Sequence, residues 1–196
     1  MHSRRLAALV LGAWLAGSLF MIGVATSNFK IVGNILKEPP PPARAQIEGL
    51  TEDGARMLLR LVASEQNRFF FHAWETAQIG LGAALALTLL FATNGHRVVM
   101  GLSLAMLALV IVTHFLLTPE ITALGRVIDY VPADRQTEER VLFWKYHNVY
   151  SGTELVKLAL GFLLAVWLLK SRGDGRRSRP VKLDPVDHAD HGHVDG

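Results

Sequence analysis

Between Leu6 and Ser27 the chain reads LAALVLGAWLAGSLFMIGVATS, 22 residues without one charged side chain. At about 1.5 Å per residue a helix of that length is roughly 33 Å long, enough to cross a hydrocarbon core of roughly 30 Å. Three more apolar runs follow, at about Phe69 to Ala92, Val98 to Thr118 and His147 to Leu169. In lipid a backbone must satisfy its own hydrogen bonds, so four such runs lead to packed helices. The predicted fold is all-α, a polytopic membrane protein with a four-transmembrane-helix bundle over residues 1–170. Residues 171–196 read as a disordered tail, first basic and then rich in His and Asp. With 196 residues in all, no second large soluble domain fits beside the bundle.

The first run follows His2, Arg4 and Arg5 and so imitates a secretory signal. It is longer than a usual signal core and ATSNFK is a weak cleavage match, so a retained anchor is expected. Pro39 to Pro42 then forbid a continuous helix. Helix can resume at Thr51-Glu52-Asp53, a cap followed by an acidic first turn. From there Ala55, Leu58, Leu59, Val62 and Ala63 alternate at helical spacing with Arg56, Arg60, Glu65 and Arg68. This amphipathic helix either lies at the interface or extends the second span outward. Thr93 to Arg97 closes a helical hairpin, and Pro119 marks a bend or a break before a short surface helix at Ile121 to Ile128.

Charge placement predicts the orientation. The N-terminal flank, the 93–97 turn and the 170–182 flank carry 9 Lys or Arg in 23 residues, whereas the connections 28–71 and 118–147 carry 10 in 74, offset by 10 acidic residues. Both termini are therefore expected in the cytoplasm of a bacterial-type inner membrane. The basic flank holding Arg172, Arg176, Arg177, Arg179 and Lys182 adjoins a span and lacks interleaved aromatics, so its expected partner is anionic lipid headgroups rather than nucleic acid. The chain has no cysteine, which excludes disulfides, thiolate metal sites and a cysteine nucleophile.

Polar residues inside the spans are the candidates for function. His72 opens the second span, His114 lies near the outer end of the third, and His147 opens the fourth. Glu75 and Gln78 continue the face of His72, while His147, Ser151 and Glu154 form a second stripe. Lys157, three residues beyond Glu154, is placed to neutralise it. Ionisable groups at such depth are costly unless they face one another, a wet cavity or the bundle interior. Two readings stand side by side: helix-to-helix hydrogen bonds, or a pocket for a transition metal, a polar ligand or a proton-transfer network. No cofactor is required by the sequence. Metal ligation by His72, His114 and His147, or bis-histidine haem, are alternatives. Thr113, Thr118 and Glu120 accompany Pro119, and Ser18 and Thr26 to Asn28 can add hydrogen bonds from the first span. Gly12, Gly17, Gly23, Gly80 and Gly82 suit close helix packing. There is no HExxH, GxSxG, Walker or dinucleotide motif, and His188, His191 and His193 belong to a solubilising tail.

The phrases GVATSNFKI, RFFFHAWETAQIG, HFLLTPEITALGRVID and FWKYHNVYSGTELVKLALG, spread over most of residues 6–170, resemble the TMEM205-like membrane proteins and the overlapping bacterial DUF4149 family. In that family the third span ends before a proline, and a histidine-bearing entrance leads into the last span. Pro119 and His147 occupy what look like those positions. The resemblance implies a four-helix topology and supplies no catalytic residues. The function expected is a non-enzymatic transporter-like, accessory or envelope component, alone, as a homo-oligomer or with a membrane protein partner. A membrane redox or metal/haem-binding subunit and a lipid-associated scaffold are the alternatives.

Overall fold

The structure is a computed structural model that describes residues 2–93, 96–132 and 135–174. The described residues form helices α1 (His2–Lys37), α2 (Arg44–Glu48), α3 (Glu52–Ala92), α4 (Arg97–Val112), α5 (Thr118–Ile128) and α6 (Glu138–Asp174). A 3-10 turn, Pro41–Ala43, precedes α2, and a π-turn, Thr113–Leu117, joins α4 to α5. Four helical stretches are long and apolar enough to cross a membrane: α1, α3, α4 through α5, and α6. The fold is thus the all-α four-span bundle, with the amphipathic segment as an extension of the second span.

Every span is longer as a helix than as an apolar run. Hydropathy marks where lipid stops, while the helix continues as far as its backbone bonds and packing allow. So α1 passes Ser27 and ends at Lys37, just before the proline run, and α6 begins at Glu138, well before His147. The amphipathic segment is one piece with the second span, so it projects from the bundle. Its start is capped as expected: Thr51 is extended, its side chain accepts the Gly54 N–H at 3.1 Å, and Glu52 and Asp53 fill the first turn. The short α2 inside the first connection was not anticipated.

Pro119 neither breaks the third span nor ends it. Proline lacks an N–H and its ring crowds the carbonyl four residues back, and one wider turn lets the helix pass. Here the Thr118 N–H donates to the Thr113 carbonyl, five residues back, and α5 continues with Pro119 in its first turn.

Around the bundle the order is α1, α3, α4, α6, each packed on its two neighbours. The start of α1, the last turns of α6 and the junction of α3 with α4 lie at one end, called here the termini end, and the end of α1, the start of α3, the end of α5 and the start of α6 at the other, the loop end. The termini half is a dry core of Ala7, Leu11, Trp14, Leu85, Leu89, Val99, Met106, Val110, Leu164 and Leu168. Arg4 ties its edge together by donating to the Leu168 carbonyl at 2.8 Å and lying over the Trp167 ring. Only 22–28% of each apolar window is buried, and side chains such as Leu9, Phe20, Phe91 and Leu169 point outward, as a lipid-facing surface requires.

Two of the five glycines expected to permit close packing do so. A Cβ at Gly17 would run into the Trp74 ring, and one at Gly82 would lie 2.8 Å from Leu107 Cδ1 and 3.1 Å from Trp14. At Gly12, Gly23 and Gly80 it would meet nothing within 4 Å. Gly17→Ala should therefore destabilise the bundle by about 1–3 kcal/mol, as overpacking does, whereas Gly23→Ala should be neutral or stabilising by up to ~1 kcal/mol through helix propensity. Unfolding of the two variants in mixed micelles with increasing dodecyl sulfate checks this contrast.

Candidate functional site

Apart from Ser103 on α4, the buried polar residues of the spans collect in the loop half of the bundle. On α3, Glu75 and Gln78 are both 0% exposed, one turn apart on the inward face. The π-turn carries His114 beside Glu75, with Nδ1 3.1 Å from Oε2, and α5 begins with Thr118, whose hydroxyl donates to Glu75 Oε1 at 2.6 Å. His72, a turn before Glu75 and exposed, stacks its ring on His114 with centroids 4.9 Å apart and an interplanar angle of 25°. One ligand atom from each of His72, Glu75 and His114 lies within 4.8 Å of the others. His72 and His114 line an open cleft of about 440 Å³ between α3 and α5, together with Arg68, Phe69, Thr118 and Thr122, and Glu75 lies buried behind them.

Beneath the triad a second set of side chains spans the centre. Lys157 Nζ meets Glu154 Oε1 at 2.6 Å, the internal pair their spacing suggests, and also donates to Gln78 Oε1 at 2.8 Å across the diagonal of the bundle. Gln78 Nε2 in turn faces Ser18 Oγ on α1 at 3.4 Å. Tyr150, buried on α6, interacts with the carboxylates of both Glu75 and Glu154, without a well-formed hydrogen bond to either. Further toward the loop end, Asn28 Nδ2 donates to Asn67 Oδ1 at 2.5 Å, and Asn67 Nδ2 reaches the Ala25 carbonyl at 3.3 Å.

An ion-pair clasp closes the outer part of the cleft. Arg68 bonds Glu65 at 2.7 Å on its own helix and Asp129 at 2.6 Å beyond α5, and Arg126 reaches both Glu65 oxygens at 3.1 and 3.4 Å. The guanidinium of Arg68 passes over Gly125, where a Cβ would stand 2.8 Å from Nη2. Arg126 first, and then Arg68, hold the Glu65 carboxyl below the usual carboxylate range.

The third histidine does not join the other two. His147 packs against Phe143 and Trp144, with centroids at 5.7 and 5.4 Å. Ser151 is exposed. The inward stripe of α6 is Tyr150, Glu154 and Lys157, spaced i, i+4, i+7, a phase that leaves Ser151 about a quarter-turn away. Tyr150 is thus the site residue that sequence reading missed. Its spacing from Glu154 and Lys157 was the available signal, and its aromatic ring masked it among apolar neighbours. His72 and His114 lie face to face, so this pair leaves no space for a haem macrocycle between them. Of the basic flank, Arg172 falls within α6 with its side chain undescribed, and Arg176, Arg177, Arg179, Lys182 and the tail histidines lie outside the described residues.

Comparison of the chain with family models, with curated proteins and with solved structures found no match. The site is therefore interpreted from its own chemistry. Two imidazoles and a carboxylate, opening on a cleft, are a ligand set for a borderline divalent metal ion.

Two outcomes are expected. Thr118→Val keeps the side-chain shape but strips a donor from a buried carboxylate, and should cost about 1.5–3 kcal/mol in micellar unfolding. Glu65, held below its ordinary value of 4.5, contributes ion pairing that is complete above pH 4.5 and is lost as pH falls through its lowered folded-state value. Nitroxides at the exposed positions Val62 and Val127 should keep one separation from pH 8 to pH 5 and move apart only below pH 4.5, whereas Glu65→Gln should separate them throughout.

Proposed function

We propose that this chain is a non-enzymatic inner-membrane protein that binds one divalent transition-metal ion at His72, Glu75 and His114. The observation that carries the reading is the convergence of their ligand atoms to within 4.8 Å of one another beside a cleft that His72 and His114 line. In tetrahedral coordination with bonds of about 2.0–2.2 Å, ligand atoms sit roughly 3.3 Å apart. A modest shift of the exposed His72 side chain closes the difference. His114 Nδ1 and Glu75 Oε2, 3.1 Å apart, already stand at about the spacing of two ligands on one ion.

Charge supports the same reading. Lys157 is matched by Glu154, while Glu75 has only His114, Thr118 and Tyr150 around it. A buried carboxylate with no lysine or arginine beside it attracts a cation. The mixed nitrogen and oxygen donors suit zinc, cobalt, nickel or copper better than magnesium or calcium, which prefer all-oxygen shells. In the topology expected from the basic termini, the cleft faces the outside of the cell and the ion arrives from there, while the flank Arg172 to Lys182 rests on anionic lipid. This role is compatible with the TMEM205-like resemblance, which the sequence phrases support.

The test uses full-length protein carrying no histidine tag, with His188, His191 and His193 changed to Ala so that the tail contributes nothing. Dialysed against cobalt(II), it should retain one ion per chain and show visible ligand-field absorption. His114→Ala and Glu75→Gln should weaken binding by about 10–100-fold or more, and His147→Ala should leave it unchanged. Absence of saturable one-to-one binding, or equal losses in His147→Ala and His114→Ala, would refute the assignment.

A further inference from the structure

Lys157 is 1% exposed, and its ammonium stays at the centre of the bundle instead of reaching for an interface. One carboxylate would neutralise it, yet α3 supplies a second oxygen atom across the bundle. Glu154 Oε1 lies at 2.6 Å and Gln78 Oε1 at 2.8 Å, the latter turned toward the lysine because Gln78 Nε2 faces Ser18 Oγ. The Tyr150 hydroxyl lies against the same Glu154 carboxylate. A neutral amide carbonyl aimed at a buried charge replaces water of hydration, as a coordination shell does. The donor set is all oxygen with one formal negative charge, which suits a small monovalent cation.

We infer that Glu154 and Gln78 form a second cation site, built for a small monovalent cation and permanently loaded with the chain's own Lys157 ammonium. The tethered ion makes the inner site neutral without drawing on sodium or potassium, so whatever occupies the triad does so uncoupled from a monovalent-ion gradient. The Glu154 side chain retains 20% exposure, which gives a free cation an entry to this position once the lysine is removed. The inference does not depend on what His72, Glu75 and His114 bind.

Chemical replacement of the tethered ion tests it. Full-length protein in detergent with a metal chelator is melted at constant ionic strength in N-methylglucamine, sodium or methylammonium chloride. The wild type should melt at one temperature in all three. Lys157→Ala should melt about 10 °C lower in N-methylglucamine, as expected for breaking a buried pair, and recover saturably with methylammonium or sodium. Lys157→Ala combined with Glu154→Gln should ignore the cation, and Lys157→Ala in a His72→Ala, His114→Ala background should still respond to it, which separates this site from the triad. If Lys157→Ala does not fold, Lys157→Gln purified in methylammonium takes its place with the same expectation. A single variant that melts like the wild type in N-methylglucamine, or that gains nothing from either small cation, overturns the inference.

Discussion

A carboxylate with no exposed surface, set among apolar helices, is the constraint to which the loop half of this bundle answers. Left alone, Glu75 would cost several kcal/mol or hold its proton. The fold surrounds it from three directions. The π-turn brings His114, the start of α5 brings Thr118, and α6 brings Tyr150. A regular α-helix cannot run past Pro119 without losing a bond and gaining a clash, so the turn that accommodates the proline is also the turn that holds the histidine. Local backbone chemistry and the polar site are therefore one feature.

The second buried carboxylate is handled differently. Glu154 and Lys157 share a helix and cancel, and Gln78 ties their charge to the opposite helix and, through Ser18, to α1. Outside the spans the ion pairs of Glu65, Arg68, Arg126 and Asp129 hold α3 to α5 where few other contacts do. These surface pairs are individually weak, but a connected network fixes geometry better than separate pairs. The charged groups thus set how far α3 and α5 stand apart, and that separation is the width of the cleft.

Much of this was legible in the sequence, for reasons that differ by residue. The four spans follow from runs of apolar side chains, whose cost in water is large and cumulative. The Glu154–Lys157 pair follows from a spacing of three on one helix, and so does the shared face of Glu75 and Gln78. Contacts between helices were not legible, because periodicity gives a face but not its partner. Hence His72, His114 and His147 read alike, although the structure joins the first two and packs the third against Phe143 and Trp144. Tyr150 was hidden by chemistry: a tyrosine in an apolar helix passes for a packing residue until its hydroxyl is seen beside two carboxylates. Helix ends were also concealed, since α1 and α6 continue through polar residues that hydropathy assigns to loops.

The division of the bundle into a polar and a dry half bears on which activity fits. Side chains that can exchange a cation reach from the cleft to about the level of Ser18 and Lys157, and there they stop. Beyond lie Leu11, Trp14, Leu85, Met106 and Leu164, all 0–2% exposed. In this layer the helices also pack closely. Trp14 rests on Gly82, and a Cβ at Gly161 would stand 2.8 Å from Leu15 Cδ2, so α1 is seated against both α3 and α6. Opening a path to the termini end would have to separate helices at the contacts where glycine has removed the slack, and it would expose a densely packed core. Taking up an ion from the cleft asks only for a small movement of His72, a side chain already exposed. In this conformation the proposed binding from one face needs less rearrangement than passage through the bundle would.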